Sequence, residues 1–317
     1  MTSPSSSPLR TALAAICLLP LVASGQATNP TTTRDSGPST VKYMDIGGAR
    51  LAYAEQGSGA PVVFIHGATG DYRAYNAHRA ELAGKGYRAI SYSMRYFGTE
   101  PWSDQWPPFS WELHTNDLAS FLRALNAGPV HLATWSYSGH FALSVALNHP
   151  ELVKSLFAFE PSAPNKVEDP ILSKKIQDSR GVMFGPASEL LKKGNLAEAV
   201  PVFIDGVAGK DGYFQQQPKH IQDRQLDNSK VLQLIFDVPP SRQLSCDELA
   251  SIRVPVAIVQ GGSTTPGFAG IAEAVAGCMP SARHIVVPGV GHMWPGEGPG
   301  AFSKTLMDFL KSQTASR

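Results

Sequence analysis

Ser136 stands in the run Thr134-Trp135-Ser136-Tyr137-Ser138-Gly139, where an apolar strand-like stretch over residues 130–135 meets a helix-like one. A serine on a sharp strand-to-helix turn has its hydroxyl pushed outward, where it can act as a nucleophile. Such a turn wants small residues two before and two after the serine. Thr134 and Ser138 are small, but they are not the two glycines of G-x-S-x-G, and each adds a side chain where backbones approach closely. A helix N-cap is the other reading of Ser136.

Two further features suit acyl-transfer chemistry. His66-Gly67-Ala68 follows the apolar run Pro61-Val62-Val63-Phe64-Ile65. A loop there should end near the same sheet edge as Ser136, and the backbone amides of Ala68 and Tyr137 form a natural pair of donors for an oxyanion. His66 itself reads as a residue that orders this loop. Near the C-terminus, a strand-like run over residues 282–287 leads into Pro288-Gly289-Val290-Gly291-His292. Of the nine histidines, only His292 lies in a glycine-rich loop just past a late strand.

The elements that must position these residues alternate. Residues 41–46 and 50–55 flank Gly47-Gly48 and read as a hairpin. Strand patterns follow over 61–65, 87–94, 130–135, 153–159, 254–260 and 282–287. Helix patterns lie between them over 72–83, 111–125, 139–147, 268–277 and 301–311. Strands separated by helices imply a largely parallel sheet covered on both faces, an α/β fold. Residues 161–246 break the rhythm, with helix-like pieces at 187–193 and 196–204. So long a structureless loop is implausible, and the stretch reads as a helical lid. Met183, Phe184, Phe203, Tyr213 and Phe214 are candidates for its inner face, and ordinary packing is the alternative for each. The organisation expected is core from 41 to 160, lid from 161 to 246, and core again from 247 to 317.

The chain of 317 residues carries 27 Lys+Arg against 26 Asp+Glu, a net charge of +1. With no basic excess to neutralise phosphates, nucleic acid is excluded as an expected partner. Apolar residues at 43% supply a sizeable core, and charged residues at 17% are too few for a disordered chain. Arg10, the uncharged run from Thr11 to Val22, and small residues from Ala23 to Ala27 follow the order of a secretory signal. Residues 1–25 are expected to be removed and 26–40 to form a linker, leaving a secreted or periplasmic protein without a membrane anchor. Cys246 and Cys278 then remain as an even pair, either bonded or as two buried thiols. Two thiols 32 residues apart, with no histidine at ligand spacing, do not suggest a metal.

Taken in chain order, the His-Gly loop, the serine turn, the helical stretch and the late histidine make the chain resemble an α/β-hydrolase from about residue 41 to 311. The resemblance implies Ser136 as nucleophile, His292 as general base, Ala68 and Tyr137 as oxyanion donors, and no metal or organic cofactor. Ser93-Met94-Arg95-Tyr96, Phe159-Glu160-Pro161 and Cys278-Met279-Pro280 are similar to a bacterial group of esterase-like members. The commoner family pattern places an Asp after the strand read here at 254–260, yet Gly261-Gly262-Ser263-Thr264-Thr265-Pro266-Gly267 holds no carboxylate. Something must still orient the imidazole. Glu160, 24 residues beyond Ser136 and one helix and one strand later, is the candidate. Its position resembles the alternative acid site of haloalkane dehalogenases and zearalenone-type lactone hydrolases; pairing with a lid cation is the other reading.

Trp135, Tyr137, Met293 and Trp294 flank the site and are expected to pack, with no substrate role assigned. The expected activity is hydrolysis of a small-molecule carboxylic ester or lactone through an acyl-enzyme. Carbon–carbon bond hydrolysis, cofactor-free perhydrolysis, and ligand binding without catalysis are the alternatives on the same frame.

Overall fold

In the computed structural model, described over residues 40–162, 167, 169–239 and 242–314, eight strands form one sheet in the order β1-β2-β4-β3-β5-β6-β7-β8. The strands are β1 (Lys42–Ile46), β2 (Ala49–Gln56), β3 (Ala60–Ile65), β4 (Tyr87–Tyr92), β5 (Val130–Trp135), β6 (Val153–Phe159), β7 (Val256–Gly261) and β8 (Arg283–Val287). β1 and β2 form the expected hairpin, with Gly47 at φ 50° and Gly48 at φ 77°. Two consecutive positive φ values are what a two-residue turn requires if it is to match strand twist, and glycine supplies them without a Cβ clash. β2 pairs antiparallel with β4, and every later pairing is parallel. The expectations for residues 1–25, and for all but the last of 26–40, lie outside the described residues.

Alternation along each central strand divides its side chains between two cores. Val63, Ile65, Leu132, Leu156, Ala158 and Ile258 face one core. Their neighbours Val62, Phe64, Ala133, Phe157, Ala257 and Val259 face the other. The first core is covered by α2 (Trp111–Leu125), α3 (Gly139–Asn148) and α10 (Pro266–Gly277), the second by α1 (Asn76–Ala83) and α12 (Pro299–Thr314). α2 starts where the Ser110 hydroxyl accepts from Leu113 N at 3.1 Å and ends at Asn126 in the left-handed region.

Between β6 and β7 the described residues contain helices and no strand: α4 (Pro170–Lys192), α5 (Leu196–Ala208), α6 (Tyr213–Gln216), α7 (Lys219–Asp227), α8 (Ser229–Asp237) and α9 (Cys246–Ser251). Asp169 caps α4 by accepting from Ile171 N and Leu172 N, with Pro170 at the first helical position. α4 and α5 cross so closely that a Cβ on Gly206 would lie 2.1 Å from Met183 O. The helical insertion has its own apolar cluster, which includes Leu191, Val200, Phe203 and Phe214. Cys246, at the start of α9, and Cys278, just after α10, are disulfide-bonded with Cα atoms 4.7 Å apart. The last elements are α11 (Trp294–Glu297) and α12.

The parallel strands β3 to β8 run in one direction, so the loops after them meet at one sheet edge. That edge is braced from below. Arg95, just past β4, is buried with its guanidinium on Asp117 at 2.7 and 2.8 Å and on Ile46 O at 2.8 Å. Met94 N, beside it, donates to His66 Nε2 at 3.1 Å, so the loops after β3 and β4 are held together.

Candidate active site

Ser136 follows β5 directly and has φ 58°, a left-handed conformation that a serine adopts only when its surroundings enforce it. Ser138 does part of the enforcing. Its hydroxyl is fully buried, accepts from Trp135 N at 3.3 Å and donates to Ile65 O at 2.8 Å, joining the ends of β5 and β3. The side chain that stands in place of a glycine is therefore a strut. Close backbone approach occurs one residue later than the sequence pattern suggests. A Cβ on Gly139 would lie 2.3 Å from Pro161 Cβ and 2.6 Å from Pro161 Cα. α3 can pack on the residue after Glu160 only because position 139 is glycine.

Glu160 directly follows β6, with φ 42°, and is 1% exposed. Its Oε2 lies 2.6 Å from Nδ1 of His292, itself 3% exposed. Such a contact, with Nδ1 as donor, fixes the tautomer and leaves Nε2 as the basic nitrogen. The carboxylate accepts two further hydrogen bonds, from Gly261 N to Oε1 at 2.8 Å and from Thr264 Oγ1 to Oε2 at 2.9 Å. The loop that lacks a carboxylate thus cradles one supplied from β6. Gly261 has no room for a side chain: a Cβ would lie 2.4 Å from Val290 O and 3.1 Å from Glu160 Oε1. Among the described residues no lysine or arginine pairs with Glu160. Glu273 instead meets Gln260 Nε2 at 3.5 Å.

The imidazole of His292 lies face to face with Phe268, ring centroids 3.6 Å apart and planes within 1°. Its carbonyl accepts from Trp135 Nε1 at 3.0 Å, which ties the histidine loop to the residue before Ser136. Ser136 and His292 line one small cavity of about 30 Å³, together with Gly67 and Ala68. No hydrogen bond joins Ser136 to His292 among those of the described residues. Contacts of this kind commonly tighten only when substrate is bound.

His66 behaves as a loop-ordering residue. It is fully buried, with Nδ1 on Gly67 O at 2.9 Å and Nε2 accepting from Met94 N, and desolvation lowers its pKa to about 4. The Ala68 amide has no hydrogen-bond partner among the described residues. The Tyr137 amide lies in the first turn of a short 3₁₀ segment, Ser136–Ser138, where N–H groups lack intrahelical partners. Both residues line a second cavity of about 390 Å³ that also reaches Ser136.

Met183, Phe184 and Phe203 of the helical insertion line this larger cavity, as does Phe268 from the core. Tyr213 and Phe214 do not line it; they pack in the insertion's own cluster. Of the flanking residues, Trp135 and Met293 line the small cavity and Tyr137 the large one, whereas Trp294 is buried against Phe159 and Phe302. The sequence reading missed the strut at Ser138, the cradle from Gly261 and Thr264, and two arginines that reach the cavities, Arg180 and Arg224. Only the glycine at position 261 carried a signal for the second of these, since a buried strand rarely ends in Gly without a close approach.

A sheet of this order, with a serine turn after β5 and a histidine after β8, has known counterparts. The model of the alpha/beta hydrolase family matches residues 62–305. A Mycobacterium tuberculosis protein named as a non-heme bromoperoxidase is 25% identical over 280 residues, covering 84% of this chain and 99% of that one. The 2-(acetamidomethylene)succinate hydrolase of Mesorhizobium japonicum is 24% identical over 282 residues, covering 85% and 94%. Among solved structures, a thermophilic esterase from Thermogutta terrifontis superposes with a TM-score of 0.65 at 22% identity, covering 87% of this chain and 99% of that one. The family match runs from within β3 to within α12 and includes Ala68, Ser136, Tyr137, Glu160 and His292. This chain therefore belongs to the alpha/beta hydrolase family.

Proposed function

We propose that the chain is a serine hydrolase that cleaves a carboxylic ester or lactone through an acyl-enzyme, acting outside the cytoplasm. The observation that carries this reading is the 2.6 Å contact between Glu160 and His292 beside the strained turn of Ser136. In the proposed reaction His292 Nε2 takes the proton of the Ser136 hydroxyl as its oxygen attacks the substrate carbonyl. The tetrahedral oxyanion accepts from the amides of Ala68 and Tyr137. Glu160 stabilises the imidazolium, which then protonates the leaving alkoxide; in a lactone that alkoxide stays tethered to the acyl group. Water, deprotonated by His292, attacks the acyl-enzyme and releases the acid and free Ser136. The helical insertion acts as the lid over the larger cavity, whose apolar wall suits an acyl or alcohol chain. The Cys246–Cys278 bond supports an oxidising compartment, in keeping with the signal-like N-terminal sequence.

The test is a fluorophosphonate probe combined with turnover of a nitrophenyl ester. The reading expects one covalent adduct on Ser136, and Ser136→Ala should lose adduct and turnover while its circular dichroism spectrum is unchanged. Turnover that survives in Ser136→Ala would contradict it, and a wild-type chain that neither labels nor turns over would instead favour a ligand-binding role.

A further inference from the structure

Arg224, carried by α7, lines the small cavity together with Ser136, His292 and Ala68. Nothing in the triad accounts for it. Its Nε is buried without a hydrogen-bond partner, and the guanidinium makes no ion pair among the described residues. The carboxylate that acts on it electrostatically, Asp71, is already gripped by Arg73 through Nε at 3.0 Å and Nη2 at 2.6 Å. Loss of hydration is the main cause lowering the Arg224 pKa, and a guanidinium remains charged regardless. Its neighbour Gln225 is 3% exposed, lines the same cavity and also has a buried, unpartnered Oε1. No acidic side chain lines either cavity among the described residues. Arg180, at the larger cavity, lies 5.5 Å over the Phe184 ring and has no ion pair among the described residues either.

A cation held in a recess without a counter-charge is unfavourable, because its lost hydration is not offset by a partner. Arg224, on the insertion and facing the space beside Ser136, makes physical sense where a substrate brings the missing charge. A guanidinium presents a planar fork of donors, which matches a carboxylate in two parallel hydrogen bonds. We propose that the ester or lactone cleaved at Ser136 carries a separate carboxylate and that Arg224 binds it. This rests on the serine-hydrolase reading above. The apolar wall of the larger cavity takes the rest of the molecule, and Arg180 adds to the positive potential that draws an anion in.

The experiment compares methyl esters of simple carboxylic acids with monomethyl esters of dicarboxylic acids of equal chain length, succinate to adipate, on the full chain. Wild-type kcat/KM should favour the charged ester by about 10-fold or more at one length at least. Arg224→Met should bring that ratio below about 2, and Arg224→Lys should keep part of it, since a point charge replaces the fork. A second measurement needs no variant: glutarate should protect Ser136 from fluorophosphonate labelling where glutaramide, its neutral diamide, does not. Preference for the neutral ester at every length, a ratio unchanged in Arg224→Met, or equal protection by glutarate and glutaramide would overturn the proposal. Labelling without competitor reads the parent assignment separately. An unlabelled Ser136 sinks both, and a labelled Ser136 with no charge preference sinks only this one.

Discussion

Ser138 and Thr264 are short side chains whose hydroxyls hold larger things in place. The Ser138 hydroxyl bridges two strand ends, and Thr264 donates to the carboxylate that orients His292. Replacing Ser138 with Gly would restore the commoner turn pattern while removing that strut and leaving Ile65 O with the longer hydrogen bond from the Tyr75 hydroxyl at 3.2 Å. Ser138→Gly is expected to lose about 1–3 kcal/mol of stability, read as a lowered urea midpoint. An unchanged or raised midpoint would mean that the turn is held by other contacts. At this scale the sequence was legible in residue type more than in role. Ser136, His292 and Glu160 could be singled out from their places after strands. The cradle around Glu160 could not, because it is built from a backbone amide and a threonine that look like any loop.

The succession of elements along the chain, and a largely parallel sheet, were readable because apolar runs and glycine-rich breaks alternate cleanly. The runs at 111–125, 130–135 and 153–159 coincide with α2, β5 and β6. Close approach was misplaced by one residue, since a pattern of small residues does not tell which backbone a turn will meet. The structure puts the contact at Gly139 and Pro161. Gly139→Ala should therefore cost about 1–3 kcal/mol through overpacking. It should also lower kcat, because the displaced Pro161 pulls on Glu160. Wild-type stability and turnover in Gly139→Ala would contradict this. The helical insertion was visible only as an interruption; which of its aromatic residues reach the cavity depends on helix crossings such as that of Gly206 over Met183. The pairing of Cys246 with Cys278 was likewise left open by the sequence, since it depends on two helix termini meeting across 32 residues.

Across the whole molecule the histidines set the response to acid. His66, His78 and His114 are fully buried, and desolvation lowers their pKa values to about 4, 3 and 3. In the unfolded chain they titrate near the ordinary value of about 6.5. As pH falls below 6.5 the unfolded state takes up protons that the folded state refuses. The stability these groups contribute is thus complete above about pH 6.5 and is lost as pH falls toward their folded values. Each adds a slope of up to about 1.4 kcal/mol per pH unit in that window. Thermal melts should show Tm falling steadily from pH 7 to pH 4.5; a flat profile would mean that these rings are protonated in the fold.

The central claim is that Glu160 works through His292 on Ser136, and a double-mutant cycle tests it most directly. Turnover of a nitrophenyl ester is measured for wild type, Glu160→Gln, His292→Ala and the double variant, with folding checked by circular dichroism. Groups that act as one unit are strongly non-additive. Glu160→Gln should lower kcat by about 10³–10⁴-fold in the wild-type background. In the His292→Ala background the same change should cost less than about 3-fold. Equal losses in the two backgrounds would show that the glutamate acts independently of the histidine, and the account would fail.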